Sequence, residues 1–384
     1  MDVVPLSIGR RGVRFARFSE QIANRLVRGR DHVAAALHLG GRAADYDDEM
    51  YEFKGGAGEP LRRKHYDKSL RLLWKAEQYA PWTSFRDMSR AEKDMRAMAE
   101  QGMSTDDKAA LERISTDEFR QLLQDSYTQE QRTAMVKMLS AIGHGEAYAW
   151  LVSARLLGEV KSTGAKAALT MQVLEEAKHF VVLRELVRAF DEPIPRQSAW
   201  EYLLMESVLK SPGIEKLFGM NVVIESIALS VFGLLAPYPG MEVLHQFHLD
   251  EARHCGLPMN YLREFPMTEW QKNNPLSKVR RLTTAIPAIL IIFDLEEPLA
   301  VFGRDNFDYG GSISRKILTL SDRAGYKLPF DKRQIQVALN TAFNTWANAT
   351  RLDHNWTDYC RVETTTSERG QQVEASLFGA QFPG

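Results

Sequence analysis

The chain has 384 residues, of which 44% are hydrophobic and 26% are charged, a composition typical of a globular protein with a sizeable core. A formal net charge of −1 gives no bias toward nucleic acid or an anionic membrane surface. The chain has two cysteines, Cys255 and Cys360, which exclude a disulfide-stapled secreted protein. We therefore expect a soluble, cytoplasmic protein with no nucleic-acid partner.

Along most of the chain, apolar residues recur at three- and four-residue spacing, and alternation with period two is rare. This pattern predicts an all-α protein. No low-complexity linker interrupts the chain, so we expect a single domain over residues 1–384. Its three parts are a charge-rich N-terminal helical elaboration at 1–125, a helical core at 126–265, and C-terminal helices at 266–384 with a polar tail from about Thr364.

The core contains four long periodic segments, at residues 129–158, 165–190, 214–235 and 241–264. Turn signals separate them at residues 162–164, 191–195 and 237–240. The middle connection carries a further short periodic piece, "AWEYLLMESVLK". Two tight hairpins joined by one longer crossover predict a four-helix bundle, with additional helices on both sides of it in the sequence.

The most apolar stretch of the chain follows this core, at residues 285–303. Asp294, Glu296, Glu297 and two prolines interrupt it, so it predicts a buried helix rather than a membrane span. The N-terminus contains arginines but no apolar segment of signal-peptide length. We therefore expect no membrane span.

Two glutamates lie alone in otherwise apolar helices. Glu146 is the only formal charge between Lys137 and Arg155, and Glu225 is the only one between Lys216 and Glu242. Because a helix that is apolar on nearly every side is buried, both carboxylates are expected inside the protein, where an unpaired charge is very costly. Neither has a lysine or arginine one turn away, so another source of positive charge is needed.

A short pattern occurs twice, as "LEEAKHF" and "LDEARHC". Glu176 and His179 stand three residues apart in the first copy, as Glu251 and His254 do in the second, so both side chains of a pair reach one point beside the helix. Glu-x-x-His alone is weak evidence. A third pair, Glu242 and His245, lies near a helix start without a preceding acid, and we reject it because its glutamate faces away from Glu251.

The positions of these residues along the two hairpins are stronger evidence for a shared site than the Glu-x-x-His spacing. Residues equidistant from the turn of two antiparallel helices lie at the same level. Glu146 and Glu176 are 15 residues either side of position 161, and Glu225 and Glu251 are 13 either side of Tyr238. Each lone glutamate is thus level with one Glu-x-x-His pair. Two packed hairpins then place four carboxylates and two imidazoles in one layer, which is the dinuclear carboxylate site of four-helix bundles.

The residue before each motif glutamate is also acidic. Glu175 and Asp250 are placed to accept a hydrogen bond from the histidine of the opposite hairpin, which would orient that ligand. Four carboxylates and two imidazoles suit iron or manganese, whereas zinc sites usually close with four ligands. We expect two iron ions, with a manganese–iron pair as the alternative.

Glu146, "EEAKH", Glu225 and "DEARH" resemble the ferritin-like di-iron carboxylate superfamily, in its ribonucleotide-reductase-small-subunit-like branch of oxygenases and oxidases. The resemblance covers about residues 125–265. It implies Glu175 and Asp250 as second-shell residues and the following metal ligands: Glu146, Glu176, His179, Glu225, Glu251 and His254. It also implies O2 as co-substrate and a homodimer.

Departures from the family pattern narrow the function. Radical-generating subunits usually carry a tyrosine at the position of Leu183, multicomponent hydroxylases a threonine at that of Leu229, and aminobenzoate-type N-oxygenases a third histidine at that of Phe247. His248, six residues before His254, could reach the metals only if the helix bulges, and a surface or second-shell position is favoured.

One-turn spacing from the ligands predicts a mostly apolar substrate pocket, lined by Trp150, Phe180, Leu183, Asn221 and Leu229. We therefore expect a di-iron oxygenase or oxidase that hydroxylates, N-oxygenates or desaturates a small apolar or carrier-linked molecule. A ferredoxin or reductase is the candidate electron donor. The alternatives are a ribonucleotide-reductase-like radical subunit and a non-catalytic protein that binds metal and lipid.

Overall fold

The computed structural model describes residues 5–6, 8–37, 114, 116–161, 163–351 and 353–360. Within these ranges the regular structure is helical and no strand occurs, so the predicted all-α class is correct. Most of the predicted N-terminal elaboration and the tail from Thr364 lie outside the described residues. The division of the chain into three parts stays a prediction.

The first described helix, α1 (Arg10–Ala36), contacts two later helices, Ala199–Lys210 and Lys332–Thr350. Helix α2 spans Asp117–Ser126, and its N-cap residue is Thr116, whose side chain accepts a hydrogen bond from the Phe119 amide. Such an N-cap satisfies one of the amide groups that a helix start leaves without a partner.

The first hairpin consists of α3 (Gln129–Glu159) and α4 (Thr163–Ala189), close to the predicted segments 129–158 and 165–190. Thr128 and Gln131 form a capping box that fixes the start of α3. The crossover then carries α5 (Ala199–Lys210), the short helix expected from "AWEYLLMESVLK". A second capping box, between Ser198 and Glu201, begins it.

The second hairpin begins with a continuous helical run over the predicted segment 214–235. The run consists of α6 (Gly213–Leu217), a π-helical segment (Phe218–Ile224) and α7 (Glu225–Leu235). A turn then leads to α8 (Leu244–Glu264). Gly240 in that turn has φ +78°, and a Cβ there would lie 2.7 Å from Leu123, so both backbone and space require glycine.

The run Gly213–Leu235 is long and apolar enough to cross a membrane by length and composition, and it is the one such helix among the described residues. In this structure 94% of its most apolar window is buried inside the protein, which is also typical of a core helix.

After α8 come α9 (Glu269–Asn273), α10 (Pro275–Asp294), α11 (Glu296–Val301), α12 (Asn306–Arg323) and α13 (Lys332–Thr350). The apolar stretch 285–303, expected as one buried helix, is therefore split between α10 and α11 at Leu295. Arg281 on α10 is fully buried and holds Glu215 of α6 through two hydrogen bonds of 2.6 and 2.8 Å.

The two hairpins lie against each other. Helix α4 contacts α8, and α3 contacts the π-helical segment, while α5 and α10 pack together outside this layer. The arrangement is compatible with the predicted four-helix bundle, and it directs the apolar faces of both hairpins into one shared interior.

Candidate metal centre

All six predicted ligand side chains meet in the interior between the hairpins. They form two groups of four whose ligand atoms lie within 4.8 Å of one another. Glu176 and Glu251 belong to both groups, Glu146 and His179 complete the first, and Glu225 and His254 complete the second. Every member is buried, and none is more than 4% exposed.

Each of the four long helical runs contributes to the site. Glu146 comes from the middle of α3, and Glu176 and His179 from one face of α4. Glu225 is the first residue after the π-helical segment. The wider turn of a π-helix changes the rotation of the residues that follow it, and such segments are frequent at functional sites.

The two shared carboxylates each face both histidines. Glu251 Oε1 lies 3.0 Å from His179 Nδ1, and Glu251 Oε2 lies 3.0 Å from His254 Nδ1. Glu176 Oε2 lies 3.6 Å from His179 Nδ1, and Glu176 Oε1 lies 3.3 Å from His254 Nδ1. One oxygen of each carboxylate therefore faces each group.

Four buried atoms of the first group make no hydrogen bond of regular geometry, although His179 Nδ1 lies 3.0 Å from Glu251 Oε1. These atoms are Glu146 Oε2, Glu176 Oε2, Glu251 Oε1 and His179 Nδ1. A buried polar atom without a partner costs free energy, and native interiors rarely leave several together. A divalent cation would satisfy all four at once, so these residues fit a metal ion.

The outward nitrogen of each histidine has an acidic partner on the opposite hairpin. His179 Nε2 lies 3.1 Å from Asp250 Oδ2, and His254 Nε2 lies 2.9 Å from Glu175 Oε2. These are the contacts that the sequence predicted for the two second-shell acids. An N–H donated outward fixes the ring and leaves Nδ1 directed into the cluster.

The basic residue of each repeat lies beside these acids, a feature that the sequence reasoning missed. Arg253 Nη2 is 2.7 Å from Glu175 Oε1 and 2.5 Å from Asp250 Oδ1, so one guanidinium joins both carboxylates. Lys178 Nζ lies 3.9 Å from Asp250 Oδ2. The signal was present, because both copies have a base immediately before the histidine.

Two buried amides support the second group, and only one of them was predicted at the site. Gln172 Nε2 donates to Glu225 Oε1 at 2.7 Å and to Glu176 Oε1 at 3.1 Å. Asn221 Nδ2 donates to Gln172 Oε1 at 2.9 Å and to the His254 carbonyl at 3.1 Å. Gln172 stands one turn before Glu176, which is the sequence signal that could have identified it.

Burial and neighbouring charge shift the pKa values in the cluster. Burial raises the pKa of the Glu146 and Glu225 carboxyls well above the ordinary value, and the nearby charge of Glu176 adds to this. Burial opposes the charged form of both imidazoles, but the surrounding carboxylates outweigh it and raise the pKa of His179 and His254 well above 6.5. The metal-free cluster therefore retains protons at neutral pH.

Two carboxyls in the site have pKa values shifted the other way. Burial opposes ionisation of Glu251, but the charge of His254 and hydrogen bonds in the cluster hold its pKa well below the ordinary value. Glu175 behaves similarly, because the hydrogen bond from His254 and the charge of Arg253 outweigh burial and lower its pKa. Both are carboxylates at neutral pH, ready to bind a cation or an N–H donor.

A small cavity of about 40 Å³ adjoins the cluster. Glu146 and Glu225 form part of its wall, and Glu201 of α5 is a third acidic residue there. The remaining wall is apolar and includes Ile227 of α7 and Ile291 of α10. The helices outside the bundle layer thus close the space beside the ligands.

The predicted pocket residues do not line this cavity, and their role in a substrate pocket stays a prediction: Trp150, Phe180, Leu183, Asn221 and Leu229. Trp150 is 37% exposed, with its ring 6.4 Å from that of Phe180. Leu183 and Leu229 are fully buried in the core, and Asn221 supports the ligands. One-turn spacing predicts contacts within the bundle helices only, whereas α5 and α10 supply part of the cavity wall.

The remaining histidines of α8 lie outside both ligand groups. His248 Nδ1 is 2.9 Å from the Leu229 carbonyl, so it contacts the backbone of α7. Glu242 of the rejected pair accepts a hydrogen bond from the Gly240 amide at 2.9 Å and belongs to the turn before α8.

The fold and site define an all-α protein with a buried cluster of carboxylates and imidazoles that could hold metal ions. Comparison of the chain with protein-family models, curated proteins and solved structures finds no significant match. The functional argument therefore rests on the residues and geometry of this chain.

Proposed function

We propose that this protein is an O2-dependent non-haem di-iron oxygenase or oxidase. It would hydroxylate, N-oxygenate or desaturate a small apolar or carrier-linked organic molecule. The observation that carries the proposal is the pair of overlapping ligand groups that share Glu176 and Glu251. One isolated group would suit a single ion, whereas two groups with common carboxylates suit a bridged pair.

The donor set favours iron or manganese. Oxygen and imidazole ligands are hard to borderline, and six residues around two positions exceed the four ligands of a usual zinc site. Glu146 and His179 would hold one ion, Glu225 and His254 the other. An iron pair held by these residues would supply electrons for the reduction of O2.

The protein's own residues orient the ligands and exclude water. Asp250 and Glu175 hold the two imidazoles with Nδ1 inward. The Phe247 ring lies 4.2 Å from that of His179, and the Phe232 ring lies 6.0 Å from it. These apolar groups keep water from the cluster, which protects a reactive oxidant from side reactions.

Glu201 is placed to hold a proton at the wall of the small cavity. Its carboxyl is buried, and burial raises its pKa well above 4.5, against the effect of the hydrogen bond from the Ser198 amide. A carboxyl with a raised pKa in the wall of the cavity that Glu146 and Glu225 also line is suited to proton transfer there.

Iron loading of the metal-free protein under anaerobic conditions tests the proposal. We expect about two Fe(II) ions per chain, one for each ligand group. Mössbauer spectra before and after O2 addition should show both ions oxidised to a magnetically coupled ferric pair. Glu146→Ala and Glu225→Ala should each reduce the stoichiometry toward one iron, because each removes a ligand from one group only.

Glu242→Gln is the matched control, since Glu242 belongs to a Glu-x-x-His pair outside both groups. It should leave iron binding unchanged. At most one iron in the unaltered chain, or unchanged binding in both alanine variants, contradicts the proposal. A stable tyrosyl radical after O2 addition would favour a radical subunit, and iron binding without substrate-dependent O2 consumption would favour a non-catalytic role.

A further inference from the structure

A second, larger cavity lies outside the metal layer. It has a volume of about 530 Å³ and lies between the π-helical segment, α10, α12 and α13. Its wall is mostly aliphatic and aromatic, with residues such as Phe218, Val223, Ile289, Ile313, Ile335 and Leu339. We call this cavity the apolar chamber. Its size falls within the range of small-molecule sites.

The polar side chains of the chamber wall already have partners. Arg281 holds Glu215 and donates to the Lys327 carbonyl at 2.7 Å. Ser314 Oγ donates to the Gly310 carbonyl of its own helix at 2.7 Å. Gln334 is exposed, and its Oε1 accepts from the Asp331 amide at 3.1 Å. No charged group of the wall is thus available to anchor a charged ligand.

The start of α13 marks the rim of the chamber. Phe330 is 52% exposed and precedes the helix, and Gln334 lies in its first turn. Both residues belong to the wall. A ligand with one polar end would keep that end in water here and place its apolar part inward.

Ile227 connects this chamber to the metal cluster. Its side chain lines the apolar chamber and also the small cavity bounded by Glu146 and Glu225. It stands two residues after Glu225 and is 7% exposed. One side chain therefore separates the inner end of the chamber from the space beside the candidate ligands.

We propose that the apolar chamber binds the uncharged hydrocarbon chain of the substrate, and that Ile227 controls its access to the metal cluster. Oxidation of the bound chain at the metal cluster rests on the proposed function, whereas binding of the chain to the chamber does not. Burial alone provides the affinity, so it should rise about fourfold with each added methylene until the chamber is full.

Binding is tested on the full metal-free chain by displacing a neutral apolar fluorophore, N-phenyl-1-naphthylamine, with n-alkanols of six to twelve carbons. We expect the stepwise rise in affinity given above. Ala338→Phe, which fills the chamber from α13, should abolish displacement while Mn(II) binding stays unchanged. Val337→Phe is the matched control, because Val337 neighbours it, is 52% exposed and does not line the chamber.

Iron-loaded protein tests the route to the metals. Ile227→Phe should preserve alkanol binding but reduce alkanol-dependent O2 consumption at least tenfold in a single turnover, with the two Fe(II) ions as the source of the two electrons. Absence of fluorophore binding in the full chain, as when another part of the chain fills the chamber, overturns the inference even if the iron pair is active. Unchanged binding in Ala338→Phe also overturns it. Normal alkanol binding without O2 consumption refutes the proposed function instead and leaves the chamber assignment standing.

Discussion

Metal binding to this protein should release protons and depend steeply on pH. In the metal-free cluster, both nitrogens of His179 and of His254 face carboxylate oxygens, and the pKa of each imidazole is raised well above 6.5. Burial raises the pKa of Glu146 and Glu225 as well. A metal ligand must be deprotonated, so all four groups compete with the metal through their protons.

The magnitude follows from this count. Two imidazoles and two carboxyls whose pKa values are raised can together release up to about four protons when a pair of ions binds. The product of the two association constants should then rise by up to about 10⁴ per pH unit while these groups remain protonated. Because the pKa values of these groups are raised, metal affinity continues to increase with pH above the ordinary pKa of each group. The increase ends once all of the groups have lost their protons.

Calorimetric titration with Mn(II), which tolerates handling in air better than Fe(II), measures this effect. The binding enthalpy at pH 7 is compared in buffers of different ionisation enthalpy, and the slope gives the number of protons released. Glu225→Gln should lower that number by up to one, since it removes a carboxyl whose pKa is raised by burial. Glu242→Gln should leave it unchanged. A slope near zero, or equal affinities at pH 6 and pH 8, would refute the reasoning.

Three further predictions concern residues around the site. Glu175→Gln and Asp250→Asn should each weaken Mn(II) affinity about 10- to 100-fold, because each weakens the group that orients a ligand histidine. The helical circular dichroism spectrum should be retained, and unchanged affinity in both variants would contradict the orienting role. Arg281→Met should cost about 3–5 kcal/mol in urea unfolding because it leaves Glu215 buried without its cation, whereas a loss below about 1 kcal/mol would show that the pair contributes little. Burial, with the charge of Glu20, raises the pKa of Asp294 from 3.8 to about 7. The protonated carboxyl therefore contributes to folding stability fully below about pH 4, and this contribution is lost as the pH rises through 7. The loss in the free energy of unfolding is at most about 4 kcal/mol. Asp294→Asn should remove that dependence from unfolding curves measured between about pH 5 and 8, and an unchanged slope would exclude Asp294 as its source.

The ligand set could be assembled from the sequence because its logic is local and one-dimensional. Glu146 and Glu225 are conspicuous as lone charges in apolar helices. Equal distance from a turn places residues of antiparallel helices at one height whatever their side chains are. The outward partners Glu175 and Asp250 followed from their position beside each motif glutamate, and the structure has both contacts.

The residues that hydrogen-bond the ligand side chains and their acidic partners were harder to predict, although they lie in the same helices. Gln172 and Arg253 each contact two acidic groups of the cluster or its surroundings. A lone glutamine or a repeated base has many possible roles on a helix. Their role depends on which side chain of another helix lies opposite, and helix packing rather than sequence spacing determines that.

The sequence by itself thus determined the helical class, the hairpins and the six candidate ligands, because periodicity and turn distance are properties of neighbouring residues. Tertiary structure alone decided that Glu176 and Glu251 are shared between two groups, and that a π-helical segment precedes Glu225. It also decided where the cavities lie, because α5, α10, α12 and α13, which are distant from the motifs, complete walls that the ligand-bearing helices only begin. Cavities form where separate helices fail to fill space, and the sequence of any one helix does not specify that.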